Sequence, residues 1–255
     1  MQNDFKIPII HVDPPQYRCQ DKKILEEVRC APINPNALPI LHITRGFEDE
    51  GSLIGQPQAR IIIGGCAVGR KDCQPQSDIG AAASKVMSIA EIIVELYKIG
   101  ADKIKTVVIS EGDSPQYRTQ TAALSNALKD NGWNTHLETS GFLIDTKYYN
   151  WFNYISIAIK TTYSTAPSDN KHIRKIIEYS MLTPQPHQIK ARVSCVEDLQ
   201  WIEEKFRPLL LQKERPLIIT TQTEDTTAFD LVQDWIRPEY NVRVIASQHV
   251  ILKQR

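Results

Sequence analysis

From Leu38 onward, short β-branched apolar runs alternate with stretches whose apolar residues recur every three or four positions. That rhythm constrains the fold of this 255-residue chain more than any other feature. LPILHI (38–43), ARIIIGG (59–65), IKTVVIS (104–110), NTHLET (134–139), YISIAI (154–159), QIKARVS (188–194), PLIITT (216–221) and VRVIAS (242–247) read as strands. Between them, Ser84–Ile99, Thr119–Asp130, Asn170–Met181, Glu197–Leu211 and Thr226–Trp235 carry helical spacing, with Thr119 as the expected N-cap of the second. Strands that alternate with helices imply βαβ crossovers and a parallel sheet. About six such units fall short of the eight of a closed barrel, which leaves a partial, incomplete parallel β/α barrel or an open doubly wound sheet.

Residues 1–37 read differently. KIPIIHVDPPQYRCQDKK and APINPNALP hold six of the 15 prolines, with one short helical pattern between them at Lys23–Val28. The expectation is an N-terminal arm (1–37) ahead of a single α/β domain (38–255). Lys plus Arg equals Asp plus Glu at 30 each, so the net charge is zero and the chain lacks the electrostatic signature of a general nucleic-acid binder. No charged-then-apolar leader opens the chain, and no apolar run approaches the ~20 residues that span a bilayer. The five cysteines (Cys19, Cys30, Cys66, Cys73, Cys195) are an odd number in a sizeable domain, which favours a reducing compartment. A cytoplasmic protein is expected.

The strand ARIII runs into Gly64-Gly65 and a polar loop closed by Cys73. Such strand-to-loop junctions are where α/β folds place their chemistry. Gly64-x4-Gly69-Arg70-Lys71 imitates a phosphate-binding loop, but Arg70 stands where lysine is needed, Lys71 stands where serine or threonine is needed, and Gln74-Pro75 opens no helix. A zinc site wants close Cys or His pairs, and Cys66 and Cys73 alone supply two ligands. Two unrelated thiols is the plainer reading.

Several segments together resemble the 7-carboxy-7-deazaguanine synthases, the QueE type of the radical S-adenosylmethionine superfamily. Glu50-Gly51-Ser52-Leu53-Ile54-Gly55-Gln56-Pro57 is similar to the family's QGEG loop, and Ile61–Cys66 to the strand leading into its first cluster cysteine. Ile109-Ser110-Glu111-Gly112-Asp113-Ser114-Pro115 sits where the family has its GGEP segment, so Gly112, Asp113 and Ser114 are the S-adenosylmethionine-region candidates. His136-Leu137-Glu138-Thr139-Ser140-Gly141 resembles HLETNG, Ile155–Lys160 resembles SVSPK, and Arg243–Leu252 resembles the closing RLSLQTHKIL. The resemblance runs in order over about 38–255. It implies a radical-enzyme type of partial barrel and a small purine- or pterin-like ligand. The implied ligand residues are Glu50, Gly51, Glu138, Thr139, Ser156, Lys160 and His249.

Departures from the family pattern gather at the chemistry. The family's CxxxCxxC reads Cys66, Arg70, Cys73 here, and a guanidinium has no lone pair to offer iron. Gln74 and Pro75 replace the residues that follow the third cysteine, and Ile62 replaces the arginine that reads the substrate carboxylate. Ile159 replaces a proline, and Glu48-Asp49-Glu50-Gly51 replaces QGEG. The expectation is a catalytically degenerate member without a cofactor, acting as a ligand-binding or scaffolding subunit with a protein partner or as a homodimer. One alternative is an active synthase with a 4Fe–4S cluster, S-adenosylmethionine and magnesium, in which Cys66 and Cys73 gain a third thiolate from Cys30, Cys19 or Cys195. The other is a pure interaction module whose cleft is filled by its own side chains. For Glu138, a turn cap or a surface lysine is the competing partner. Lys160 reads equally as a snorkelling surface lysine and His249 as a core histidine. The basic run Lys171-His172-Arg174-Lys175 is expected to be a solvated helix face, and Tyr148, Tyr149, Trp151, Phe152 and Tyr154 to be packing residues.

Overall fold

The computed structural model describes residues 36–64, 84–110, 117–141, 144–159, 161, 170–221 and 227–246. The strands are β1 (Ala37–Phe47), β2 (Pro57–Ile63), β3 (Lys85–Ser88), β4 (Thr106–Ser110), β5 (Asn134–Thr139), β6 (Tyr154–Ile159), β7 (His187–Val193), β8 (Leu217–Thr221) and β9 (Val242–Ala246). The helices are α1 (Ile89–Lys98), α2 (Arg118–Asp130), the single turn α3 (Thr146–Tyr149), α4 (Asn170–Leu182), α5 (Val196–Leu211) and α6 (Thr227–Trp235).

The nine strands of the described residues form one sheet in the order β3-β1-β2-β4-β5-β6-β7-β8-β9. From β2 to β9 the strands are parallel and follow chain order without reversal. A doubly wound sheet would turn back at a switch point, so the partial barrel is the alternative realised. The sheet is open among the described residues.

Three expectations are corrected. The sheet is not wholly parallel, because β1 runs antiparallel to both β2 and β3. Ser84–Ile99 is not one helix either: Lys85–Ser88 pairs with β1, and the helix starts only at Ile89. The boundary has a local cause in a capping box. Ser88 Oγ accepts from the Glu91 N–H (3.2 Å), and the Ser88 N–H donates to Glu91 Oε2 (2.8 Å). Thr119 does not cap α2, which begins at Arg118 behind an uncapped Tyr117. The turn α3, held by Asp145 accepting from the Tyr148 N–H (3.2 Å), was not foreseen.

Cross-strand register sorts the side chains into two faces. Ala59, Val107, Leu137, Ile155, Ile157, Ile189, Ala191, Leu217 and Ile219 share the face that forms the hydrophobic core with Ile92, Leu96, Leu124, Leu128, Ile176, Ile202, Phe206, Leu210 and Val232 of the helices. Parallel strands buried on both faces usually read as continuous apolar runs. Here the opposite face pairs Arg60 with Val108, Val108 with His136, Glu138 with Ser156, Ser156 with Gln188, and Ala158 with Lys190. It is the polar interior of the partial barrel. Tyr149 and Phe152 lie in the core, whereas Trp151 is exposed, as are Lys171, Arg174 and Lys175 on α4. No described helix is long and apolar enough to cross a membrane.

Candidate functional site

The polar interior is built from β2, β5, β6 and β7 and from the β1–β2 hairpin loop, residues 48–56. Because β1 and β2 are antiparallel, this loop lies at the N-terminal end of the parallel strands. It is pinned by its own backbone, with Glu48 N–H donating to Gln56 O (2.9 Å) and Gly55 N–H to Glu48 O (2.8 Å). Gly51 turns with φ of 85°, and a Cβ there would come within 2.7 Å of the Gln188 amide. Only glycine fits both the backbone angle and the approach.

Among the described residues, five charged side chains meet in this interior. Arg60 pairs with Glu138 and reaches Glu48 Oε1 at 3.6 Å. Lys190, 4 % exposed, places Nζ 3.0 Å from Glu50 Oε1 and 3.2 Å from Glu138 Oε1. Glu50 also lies 4.0 Å from Arg192 at the more open rim. Glu48 is fully buried. It accepts from the Glu50 N–H (3.3 Å) and, with the Gln58 amide assigned the orientation that satisfies both neighbours, from the Gln58 side-chain nitrogen (3.1 Å), while the Gln58 oxygen accepts from Arg60 Nη2 (3.0 Å).

The carboxylates differ because their surroundings do. Burial pushes Glu48 up to about 7, and the neighbouring Glu138 charge adds to the rise over the opposing pull of Lys190 and Arg60. Burial would also raise Glu138, but Lys190 first and Arg60 next outweigh it and hold the carboxyl at about 2. Lys190 and Arg60 are desolvated too, yet the facing carboxylates raise both above their ordinary values. Near neutral pH the interior therefore offers one carboxylate that stays ionised, one carboxyl close to its titration point, and two fixed cations. Such a set can grip a small polar molecule by donors, acceptors and charge together.

A second layer surrounds this set. The Ser52 N–H donates to Gln188 Oε1 (2.6 Å), Gln188 Nε2 donates to Ser156 Oγ (2.6 Å), and Ser156 Oγ lies 2.6 Å from His136 Nε2. His136 is buried edge-to-face against Tyr154, and desolvation pushes its ring down to about 4, so it is neutral.

The structure thus gathers Glu50, Gly51, Glu138 and Ser156 from the sequence-based candidates. Thr139 stands on the opposite face, paired with Ile157, where Oγ1 accepts from the Gly141 N–H (3.1 Å). Glu138 is neither a turn cap nor a partner of a surface lysine, because its partners are the interior Arg60 and Lys190. Lys160, His249, Gly112, Asp113, Ser114, Cys66, Cys73, Cys19 and Cys30 lie outside the described residues. Cys195 occupies the N-cap position of α5 without a side-chain capping bond, its thiol pKa raised chiefly by burial and also by a hydrogen bond with the Glu197 side chain. Among the described residues, no three His, Cys, Asp or Glu side chains come together as a metal site.

Sequence reasoning passed over Arg60, Gln58, Gln188 and Lys190, and it weighed His136 only as part of a motif. The signal was present as Gln188-x-Lys190-x-Arg192 on β7, a polar residue at every second position of a strand otherwise made of Ile189, Ala191 and Val193. Arg60 likewise shares its face with Ile62, where the resemblance placed the missing arginine, and stands two residues earlier.

No family model and no curated protein matches the chain. Among solved structures, QueE from Escherichia coli superposes with a TM-score of 0.58 at 18 % identity, covering 82 % of this chain and 94 % of that one. The chain therefore has a QueE-like fold. The citrate synthase SbnG aligns with a TM-score of only 0.36 at 13 % identity, over 63 % of this chain and 84 % of that one.

Proposed function

We propose that this protein is a catalytically degenerate relative of the deazaguanine synthases. It binds a small purine- or pterin-like ring compound in its polar interior and serves as a subunit beside other deazapurine or nucleobase-modifying proteins. The observation that carries this reading is the interior set of Glu48, Glu50, Arg60, Glu138 and Lys190 inside a QueE-like frame. A ring edge with adjacent N–H and NH2 groups presents two donors to one carboxylate, the role for which Glu138 is kept ionised. An acidic substituent on that ring would take over the cations that Glu138 and Glu50 hold in its absence. The internal ion pairs keep those charges compensated until the ligand replaces them.

The cluster position supports the degenerate reading by its donor chemistry. Cys66 and Cys73 supply two thiolates, and Arg70 between them cannot ligate iron. This donor set does not fit a four-iron cluster, so no radical step belongs to the function. Anaerobic reconstitution with iron and sulfide, followed by an iron and sulfide count per chain, tests it. Well under four irons per chain is expected, and a full four-iron cluster overturns the reading in favour of an active synthase.

A second reading draws on the same ion pairs. With Glu138 already paired to both Arg60 and Lys190, the interior is filled by its own charges and the chain is an interaction module. Absence of ligand binding by an intact, folded protein distinguishes it.

A further inference from the structure

One polar atom of the interior is left over by the network. His136 is 1 % exposed, and among the described residues its Nδ1 has no hydrogen-bond partner. The protonation of that nitrogen follows from a chain of donors that starts on the hairpin loop. The Ser52 backbone N–H can only donate, so the Gln188 atom 2.6 Å from it is the amide oxygen. The Gln188 nitrogen must then face Ser156 Oγ and donate to it. Among the described residues, the acceptor for the Ser156 hydroxyl hydrogen is His136 Nε2 at 2.6 Å. Were Nε2 protonated instead, the Ser156 hydrogen and the Nδ1 lone pair would both be stranded. A doubly protonated ring is excluded by burial, which keeps the imidazole neutral. The ring proton therefore sits on Nδ1.

A buried N–H without an acceptor is costly, and buried polar groups in folded proteins are almost always partnered. His136 lies two residues before Glu138 on the same face of β5, roughly 7 Å deeper along the strand. It shares its cross-strand row with Arg60 on one side and Tyr154 on the other. His136 thus belongs to the floor of the interior whose upper part holds the ion pairs.

We propose that His136 is a specificity residue of this site: its Nδ1–H, locked by the Ser52–Gln188–Ser156 relay, donates to a ring carbonyl oxygen of the bound ligand. The inference deepens the ligand-binding reading and rests on it. Two features follow from the relay. A ligand carrying a carbonyl at that edge is favoured over one carrying an amino group, which would set donor against donor. The hairpin loop also controls the site at a distance, because releasing Ser52 frees the Gln188 amide to rotate and unlocks the tautomer.

The test uses the full chain labelled with nitrogen-15 at histidine, with 6-carboxypterin as the probe. Long-range proton–nitrogen correlations at pH 7 are expected to report His136 as a neutral ring protonated at Nδ1. Gln188→Leu and Ser156→Ala each cut the relay and are expected to let the tautomers mix. Saturation with 6-carboxypterin is expected to move the Nδ1–H resonance downfield. His136→Phe is expected to weaken its binding about five- to tenfold, the worth of one hydrogen bond. An Nε2–H tautomer in the parent protein overturns the proposal, as does a tautomer indifferent to both relay variants. Binding that leaves the His136 resonances unmoved overturns it too. Failure of the probe to bind at all sinks the ligand-binding reading and with it the ligand's place on His136, while the tautomer measurement still decides the relay by itself.

Discussion

Replacing Lys190 by methionine probes the interior network most sharply, because methionine keeps the length and bulk of the stem and removes only the charge. Lys190 is 4 % exposed and holds two carboxylates, Glu50 at 3.0 Å and Glu138 at 3.2 Å. Removing one partner of a buried ion pair costs about 3–5 kcal/mol, because the remaining charge stays desolvated without compensation. Arg60 still faces Glu138, and Arg192 lies 4.0 Å from Glu50. These place the expected loss at the lower end, about 3 kcal/mol. That is a large share of the roughly 5–15 kcal/mol that stabilises a folded domain. Urea denaturation at pH 7 should move the midpoint down with an unchanged slope. Adding Glu138→Gln to the Lys190→Met protein should recover part of the loss, with a coupling of about 1–3 kcal/mol between the two sites. The stability of the variant should also depend less on acid than that of the parent, since Glu138 is held at about 2 chiefly by Lys190, and without it the folded-state value moves back toward 4.5 and the loss between pH 4.5 and 2 shrinks. A loss below about 1 kcal/mol, or strictly additive effects of the two substitutions, would refute the idea that these charges depend on one another.

Glu48 and His136 give opposite pH slopes that overlap. Folding raises Glu48 from 4.5 to about 7, so the folded chain keeps a proton the unfolded chain has lost, and stability falls as pH rises through that window. Folding lowers His136 from 6.5 to about 4, so stability falls as pH drops through that window, and the two nearly cancel between 4.5 and 6.5. Glu48→Gln should expose a rise of stability with pH there, and His136→Phe a decline, each about 1.4 kcal/mol per pH unit in thermal or urea titrations; parallel profiles for both variants count against the assignment. Gly51→Ala should cost at least about 1 kcal/mol more than Gly55→Ala, although both positions share the left-handed backbone region with its penalty of about 1–2 kcal/mol. Only at Gly51 does the new Cβ meet Gln188, at 2.7 Å, whereas nothing lies within 4 Å at Gly55. Equal losses by urea denaturation would mean that the loop does not press on Gln188.

Much of the fold was legible because strand and helix periods differ and leave separate marks. NTHLET and YISIAI are strands over the residues read from sequence, since each is bounded by turn residues. Lys85–Ser88 was absorbed into a helix because Val86 continues the three-to-four spacing, while the capping box Ser88-x-x-Glu91 marked the true start. The antiparallel edge escaped notice because its determinant is pairing with β1, which no local pattern encodes. Of the site, Glu50, Gly51, Glu138 and Ser156 were found through resemblance. Their actual partners, Lys190 and Gln188, stand more than thirty residues further along the chain than any of them, and are brought near by register alone.

The most direct test of the central claim is a calorimetric titration of 6-carboxypterin into the purified full-length protein, without iron or S-adenosylmethionine. The account expects saturable binding of one molecule per chain, weakened by salt and by Glu138→Gln. A folded protein that gives no saturable heat with 6-carboxypterin would contradict it.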